Sequence, residues 1–265
     1  MKIKWTAEKI RGLKGQGKVV CLTAYDFTTA RHLDAAGIHM ALVGDSLANT
    51  VLGYPTTLPV TMDQMIHHTA AVSRGITSAM VVADMPFMSY QVSTELALAN
   101  AGRFLKEAGA DGVKVEGGAF RAEMISRLVQ NGIPVLGHIG LTPQSIRQFG
   151  GYKVQGKKNE DAEQLIEDAL ALTEAGVFAI VIECVPAALG AAITQSVPVP
   201  TIGIGAGPHC DGQVLVSHDL LGLTCGPVPR FAKRYTDLGD QMVKAFQSYR
   251  QDVEKGTFPA QENCY

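Results

Sequence analysis

The chain has 265 residues, 46% of them hydrophobic, a formal net charge of −2 and five cysteines. That length suits one large core, since a single (β/α) barrel takes about 250 residues, and so even a charge balance leaves no basic footprint for nucleic acid or an anionic membrane. Cys21, Cys184, Cys210, Cys225 and Cys264 are odd in number and form no CxxC pair, which argues against a disulfide framework or zinc site and for reduced thiols in a cytoplasmic protein.

The basic start, MKIKWTAEKIRGLKGQGK, is read as a short helix in preference to a transit peptide, with Thr6 as N-cap, Glu8 in the first turn, and a place beneath the barrel. Strands are then expected at 19–25, 40–45, 79–84, 112–117, 134–139, 178–183, 200–205 and 214–219, and no apolar run approaches the roughly 18 residues a membrane helix needs. Helical patterns separate the strands, as in 94–110, where Leu96, Ala99, Ala101, Leu105 and Ala108 make a stripe near helical spacing. The junctions LDAAGIHMALVG, LKEAGADGVKVE and LTEAGVFAIVIE repeat one helix-end, Ala-Gly, strand pattern, in which glycine supplies the left-handed helix stop. Residues 46–60 and 140–158 read as long non-helical loops after strands, a length usually reserved for function. A final helix has Thr236 as expected N-cap, Gly256 near its end, and a stripe of Leu238, Met242, Phe246, Tyr249 and Val253. Eight strand-helix units without a linker predict a (β/α)8 TIM barrel with a short N-terminal helix, a single domain over 1–265.

Five of the strands end in, or just before, an ionisable residue: Asp45, Asp84, Glu116, His138 and Glu183. Charge there is costly unless paired or metal-bound, and the top of a barrel is where catalytic groups gather. Asp45 and Asp84 suit a hard divalent cation, Mg²⁺ first, with Glu116 direct or through water; a plain salt-bridge pair is the structural alternative. Lys114 and Glu116 sit two apart, so they share one side of a strand, about 7 Å apart. Lys114 would bind a substrate carboxylate or carbonyl, form a Schiff base, or simply neutralise acids. Glu183 closes the most apolar strand and is the candidate general base, or else a partner for Lys114 or an arginine. His138 is a second acid/base group, a neutral donor, or a core histidine. GIGAG at 203–207 reads equally as a phosphate cradle and as a tight turn. Ser46 and Thr23 lack a base in sequence and are not read as nucleophiles.

The segments TAYDF, VGDSL, TTLPVTMD, ADMPF, VKVEGG, GHIGLTPQS, GGYKVQG, IECVP, IGIGAG and DGQVLVSHDLLGL resemble the ketopantoate hydroxymethyltransferase family from about residue 19 to 235. The resemblance implies a (β/α)8 barrel of the phosphoenolpyruvate/pyruvate type. It implies transfer of a one-carbon unit from 5,10-methylenetetrahydrofolate to 3-methyl-2-oxobutanoate, giving 2-dehydropantoate in pantothenate biosynthesis. It also implies Mg²⁺ on Asp45 and Asp84 with Glu116 at or near the metal. Asp45, Ser46, Asp84, Lys114 and His138 then form the substrate-contacting set, Glu183 is the proton acceptor, and the assembly is a homo-oligomer, commonly a decamer. Rival expectations are a Mg²⁺-dependent carbon-carbon lyase, whose KKCGH-type loop is missing here, a Lys114 Schiff-base aldolase, and a non-catalytic binding barrel.

Overall fold

The computed structural model describes residues 3–265. In chain order these form α1 (Ala7–Arg11), β1 (Val19–Thr23), α2 (Phe27–Ala35), β2 (Met40–Val43), α3 (Leu47–Thr50), α4 (Met62–Gly75), β3 (Met80–Asp84), α5 (Thr94–Lys106), β4 (Gly112–Glu116) and α6 (Ala122–Gln130). There follow β5 (Val135–Gly140), α7 (Ile146–Phe149), α8 (Asn159–Glu174), β6 (Ala179–Glu183), α9 (Ala187–Ser196), β7 (Thr201–Ile204), β8 (Gly212–Leu215), α10 (Ser217–Leu221) and α11 (Leu238–Lys255). The chain divides into two compact units, one ending at Leu215 and the other Val216–Tyr265. All eight strands lie in the first, parallel, in the order β1 to β8, with β8 pairing back to β1 to close the barrel.

The pleat sorts the strand residues into two layers. Ala41, Val43, Val81, Ala83, Val113, Val115, Ile180 and Ile182 join the core under the helices. Their neighbours Val19, Cys21, Met40, Leu42, Met80, Val82, Leu136, Val181, Ile202 and Val214 fill the barrel interior. The same inward parity carries on to Asp84, Lys114, Glu116, His138 and Glu183, so an apolar plug lies below a polar layer. The three repeated junctions end as expected, with Gly37, Gly109 and Gly176 at φ of 77°, 69° and 95°.

The N-terminal segment forms the floor. Thr6 caps α1 by accepting from the Lys9 N–H, and the fully buried Ile10 joins Met40, Met80 and Phe178 in the interior cluster. Arg11 donates to the Val177 carbonyl at 3.0 Å, and Lys14 meets Asp211 at 2.8 Å.

Besides strand ends that move by one or two residues, the structure departs further from the expected elements elsewhere. Strand eight begins at Gly212, where a side chain would collide with the Val19 carbonyl of β1, and the second half of the expected 214–219 strand turns into α10. The loops 46–60 and 140–158 contain the short helices α3 and α7. On α5 the buried face is Ala97, Asn100, Ala101 and Phe104, while Leu96 points outward; Asn100 is admitted because its amide donates to the Ser89 carbonyl at 2.7 Å. The N-cap of α11 is Asp237, not Thr236, and its carboxylate is engaged by Arg234 at 2.9 Å and not by the helix. Met242, Phe246, Tyr249 and Val253 on that helix are exposed. No helix among the described residues is long and apolar enough to cross a membrane, and all five cysteines are free.

Asp34, buried at the end of α2, ties that helix to the start of β3. Its Oδ1 accepts from the Ser78 N–H, the Ser78 hydroxyl and the Ala79 N–H at 2.9, 2.7 and 2.8 Å. Burial alone would raise its pKa, but these bonds favour the charged form and pull it from 3.8 down to about 2. Because the folded value is the lower one, the stabilisation is complete above the unfolded value and is lost as pH falls through the folded one. Asp34→Asn is expected to cost about 2 kcal/mol at pH 7, with the gap to the parent protein closing as pH approaches 2, in urea unfolding followed by circular dichroism.

Candidate active site in the barrel mouth

Five adjacent strands, β2 to β6, bring the ionisable residues to one side of the mouth. Asp84 at the end of β3 is level with Lys114 on β4, and Oδ1 lies 2.6 Å from Nζ. The other oxygen, Oδ2, accepts the Asp45 N–H at 2.9 Å, drawing in the chain that leaves β2. Gly44 permits this turn, since a Cβ there would stand 2.7 Å from Ser46 Oγ and 3.6 Å from Asp84 Oδ2. Ser46 Oγ is itself 2.8 Å from the Tyr25 hydroxyl.

Glu116 is level with His138 on β5. Its Oε1 lies 3.6 Å from His138 Nδ1, and Glu183 Oε2 lies 3.1 Å from Nε2, so the imidazole stands between two carboxylates. Neither contact forms a hydrogen bond, the one to Glu116 being too long for one, so both are ion-pair contacts of the protonated ring. Asp45, Asp84, Lys114, Glu116 and His138 are all buried, whereas the Glu183 side chain keeps 15% of its surface open. Directly after Glu183, Cys184 adopts φ of 49°, uncommon for a residue other than glycine. Backbone bonds from Cys184 to Ile204 and from Gln155 to Cys184 hold that turn.

The charges at this end do not balance. Four carboxylates face Lys114 and His138. Burial opposes the Lys114 charge, but Asp84, Glu116 and Asp45 outweigh it and hold the amine above its ordinary range. An amine kept cationic is a charge donor to substrate and a poor Schiff-base nucleophile. Burial, then Asp84 and Glu116, push Asp45 well above the carboxylate range despite Lys114 and Gln144. His138 is lowered by burial and by Lys114, yet its contacts with Glu116 and Glu183 prevail and bring it up to about 9. Glu116 Oε1 is buried without a hydrogen bond. An excess of buried oxygen anions, one of them without a hydrogen bond, fits a hard divalent cation. Among the described residues no three His, Cys, Asp or Glu side chains stand together in a way that would hold a metal ion.

A profile of the ketopantoate hydroxymethyltransferase family matches residues 4–261. The chain is also 56% identical to the 3-methyl-2-oxobutanoate hydroxymethyltransferase of Syntrophus aciditrophicus (strain SB), over 99% of this chain and 97% of that one. The chain belongs to the ketopantoate hydroxymethyltransferase family. Solved structures extend the likeness of this family member to the fold. One is 2,3-dimethylmalate lyase of the PEP mutase/isocitrate lyase superfamily, with a TM-score of 0.60 at 15% identity over 98% of this chain and 91% of that one. Another is phosphonopyruvate hydrolase in complex with oxalate and Mg²⁺, with a TM-score of 0.61 at 13% identity over 98% and 93%.

In this family member, the residues singled out in sequence gather at the same end of the barrel in two contact groups, Asp45–Asp84–Lys114 and Glu116–His138–Glu183, with Ser46 next to Asp45 and bonded to Tyr25. Within 203–207, a Cβ on Gly207 would stand 2.5 Å from the Ala187 Cβ of α9, and one on Gly203 3.0 Å from Cys210 Sγ, so these two glycines pack closely. Sequence reasoning missed Tyr25, Tyr90 and Gln144, all buried and bonded to the site. The available signal was the question of what satisfies three buried carboxylates. Lys114→Met removes the lysine paired with Asp84, and leaving one member of a buried pair alone costs about 3 kcal/mol or more. Chemical denaturation in a chelator is expected to register that loss.

Proposed function

We propose that this chain transfers a hydroxymethyl group from 5,10-methylenetetrahydrofolate to 3-methyl-2-oxobutanoate, giving 2-dehydropantoate and tetrahydrofolate. The observation that carries the reading is the Glu183–His138 pair, 3.1 Å apart, beside the Asp84–Lys114 pair, in a chain matched almost end to end by its family. An acid-base pair next to a fixed cation is what proton removal beside a ketone requires.

Asp45 and Asp84 would hold Mg²⁺, with Glu116 direct or through water, as the buried oxygen donors and a Glu116 Oε1 free of hydrogen bonds support. A bound Mg²⁺ supplies Lewis-acid charge at the substrate's keto and carboxylate oxygens. Lys114, Asp84 and Ser46 bind and orient the keto acid, the amine offering a fixed positive charge to its oxygens. Glu183 takes the C3 proton, and the nearby imidazolium of His138 holds its carboxylate in place. C3 then forms a bond to the methylene carbon of the folate, both bonds from that carbon to the donor's nitrogens break, and water supplies the hydroxyl oxygen, while the proton taken from C3 and one from water end on the two nitrogens of tetrahydrofolate. The exposed apolar stripe on α11 supports assembly into a homo-oligomer.

Proton NMR of 3-methyl-2-oxobutanoate in D₂O, with protein and no folate, tests the first step. The expected result is loss of the C3 proton signal with Mg²⁺ and none in EDTA. Glu183→Gln should slow the exchange by on the order of 100-fold or more while leaving the fold intact by circular dichroism. Equal exchange in EDTA would overturn the metal-assisted reading, and no exchange even with folate present would overturn the substrate.

A further inference from the structure

Gln144 sits in the loop after β5 and meets both candidate metal-binding acids outside the Asp84 pair. Its backbone N–H donates to Glu116 Oε2 at 3.0 Å, and its side-chain Nε2 donates to Asp45 Oδ2 at 3.0 Å and to the Met85 carbonyl at 2.9 Å. The other end of the amide is equally committed. Oε1 lies 2.8 Å from the Tyr90 hydroxyl and 3.0 Å from Gln91 Nε2.

The direction of the amide is therefore fixed by its surroundings. A flip would set Nε2 against the Gln91 amide donor and Oε1 against a carboxylate and a carbonyl, leaving three like-to-like contacts in a buried place. Tyr90 is locked in turn, because its hydroxyl accepts from the Glu116 backbone N–H at 3.3 Å and has one proton left to give to Gln144. Its ring lies under the Arg121 guanidinium, 5.4 Å from the ring centroid. The bonds close a circuit from the Glu116 backbone through Tyr90 and Gln144 to the Glu116 carboxylate, with a branch to Asp45.

We propose that Gln144, braced by Tyr90, is a positioning residue that sets the spacing of the Asp45 and Glu116 carboxylates and thereby the affinity of the mouth for a divalent cation. The proposal rests on the metal reading given above. It also explains a neutral residue among charges: a lysine here would compete with the metal as a counter-ion, and an acid would repel Asp45. Partners that orient metal-binding groups are typically worth about 10- to 100-fold in metal affinity.

The test uses Mn²⁺ alone as probe, its free fraction read by electron paramagnetic resonance, on the full chain and on Gln144→Met and Tyr90→Phe. Gln144→Met keeps the bulk without the amide, and Tyr90→Phe keeps the ring without the hydroxyl. Gln144→Met is expected to weaken Mn²⁺ binding about 10-fold or more. Tyr90→Phe should weaken it less, and the double variant no more than Gln144→Met alone. At saturating metal the KM for the keto acid should stay near its parent value while kcat falls. Mn²⁺ affinity equal to the parent in a folded Gln144→Met overturns the clamp. Should that variant fail to fold, parental affinity in Tyr90→Phe overturns it instead. A parent protein that binds no Mn²⁺ sinks the metal reading and the clamp together, which separates the two failures.

Discussion

Buried negative charge is the constraint around which this barrel is arranged. Asp45, Asp84 and Glu116 converge where water is scarce, and Lys114, with its ammonium 2.6 Å from Asp84, is the lysine that answers them. The pair alone is worth little as a source of stability, since desolvating two charges offsets their attraction. Its value is geometric. With Lys114 pinned by Asp84, and Asp84 pinned by the Asp45 backbone, the loop leaving β2 and the ends of β3 and β4 share one arrangement. The cost is carried by the rest of the fold, where an apolar plug and a helix-facing core bury the opposite surfaces of the same strands.

The features legible in the sequence were those with a local signature. Continuous apolar runs marked the strands, Ala-Gly stops marked the junctions, and an ionisable residue at each of five strand ends marked the mouth. Period-two alternation was enough to put Lys114 and Glu116 on the same inward face. What escaped was set by partners distant in the chain. The start of β8 is decided by the Val19 carbonyl pressing on Gly212, and the buried face of α5 by a carbonyl that welcomes Asn100. Gln144 and Tyr90 escaped for a related reason: they are neutral, and only the assembled mouth shows that Gln144 donates to two carboxylates and that Tyr90 links its amide to the Glu116 backbone.

Fold and chemistry separate cleanly in the comparisons. Barrels of a lyase and a hydrolase superpose on this one at 15% and 13% identity, so the scaffold tolerates near-complete replacement of its residues. The family relation comes from the chain itself, matched from residue 4 to 261. A barrel top is a platform for many reactions. Which of them runs is decided by the few side chains that the strands lift above the plug.

The floor of the barrel bears on how the molecule comes to exist. Arg11 meets Val177 across 166 residues of chain, and Lys14 meets Asp211 across 197, so the full set of contacts at the floor needs residues from both ends of the barrel. Ring closure waits as well, because β1 finds its second neighbour only when Gly212–Leu215 has been made. For most of its synthesis the growing chain therefore carries an open sheet with two unpaired edges and a bare apolar underside. The finished ring has no edge to offer another chain. That protection depends on the last strand, so a change that loosens Gly212–Leu215 would expose the edges of β1 and β7 together.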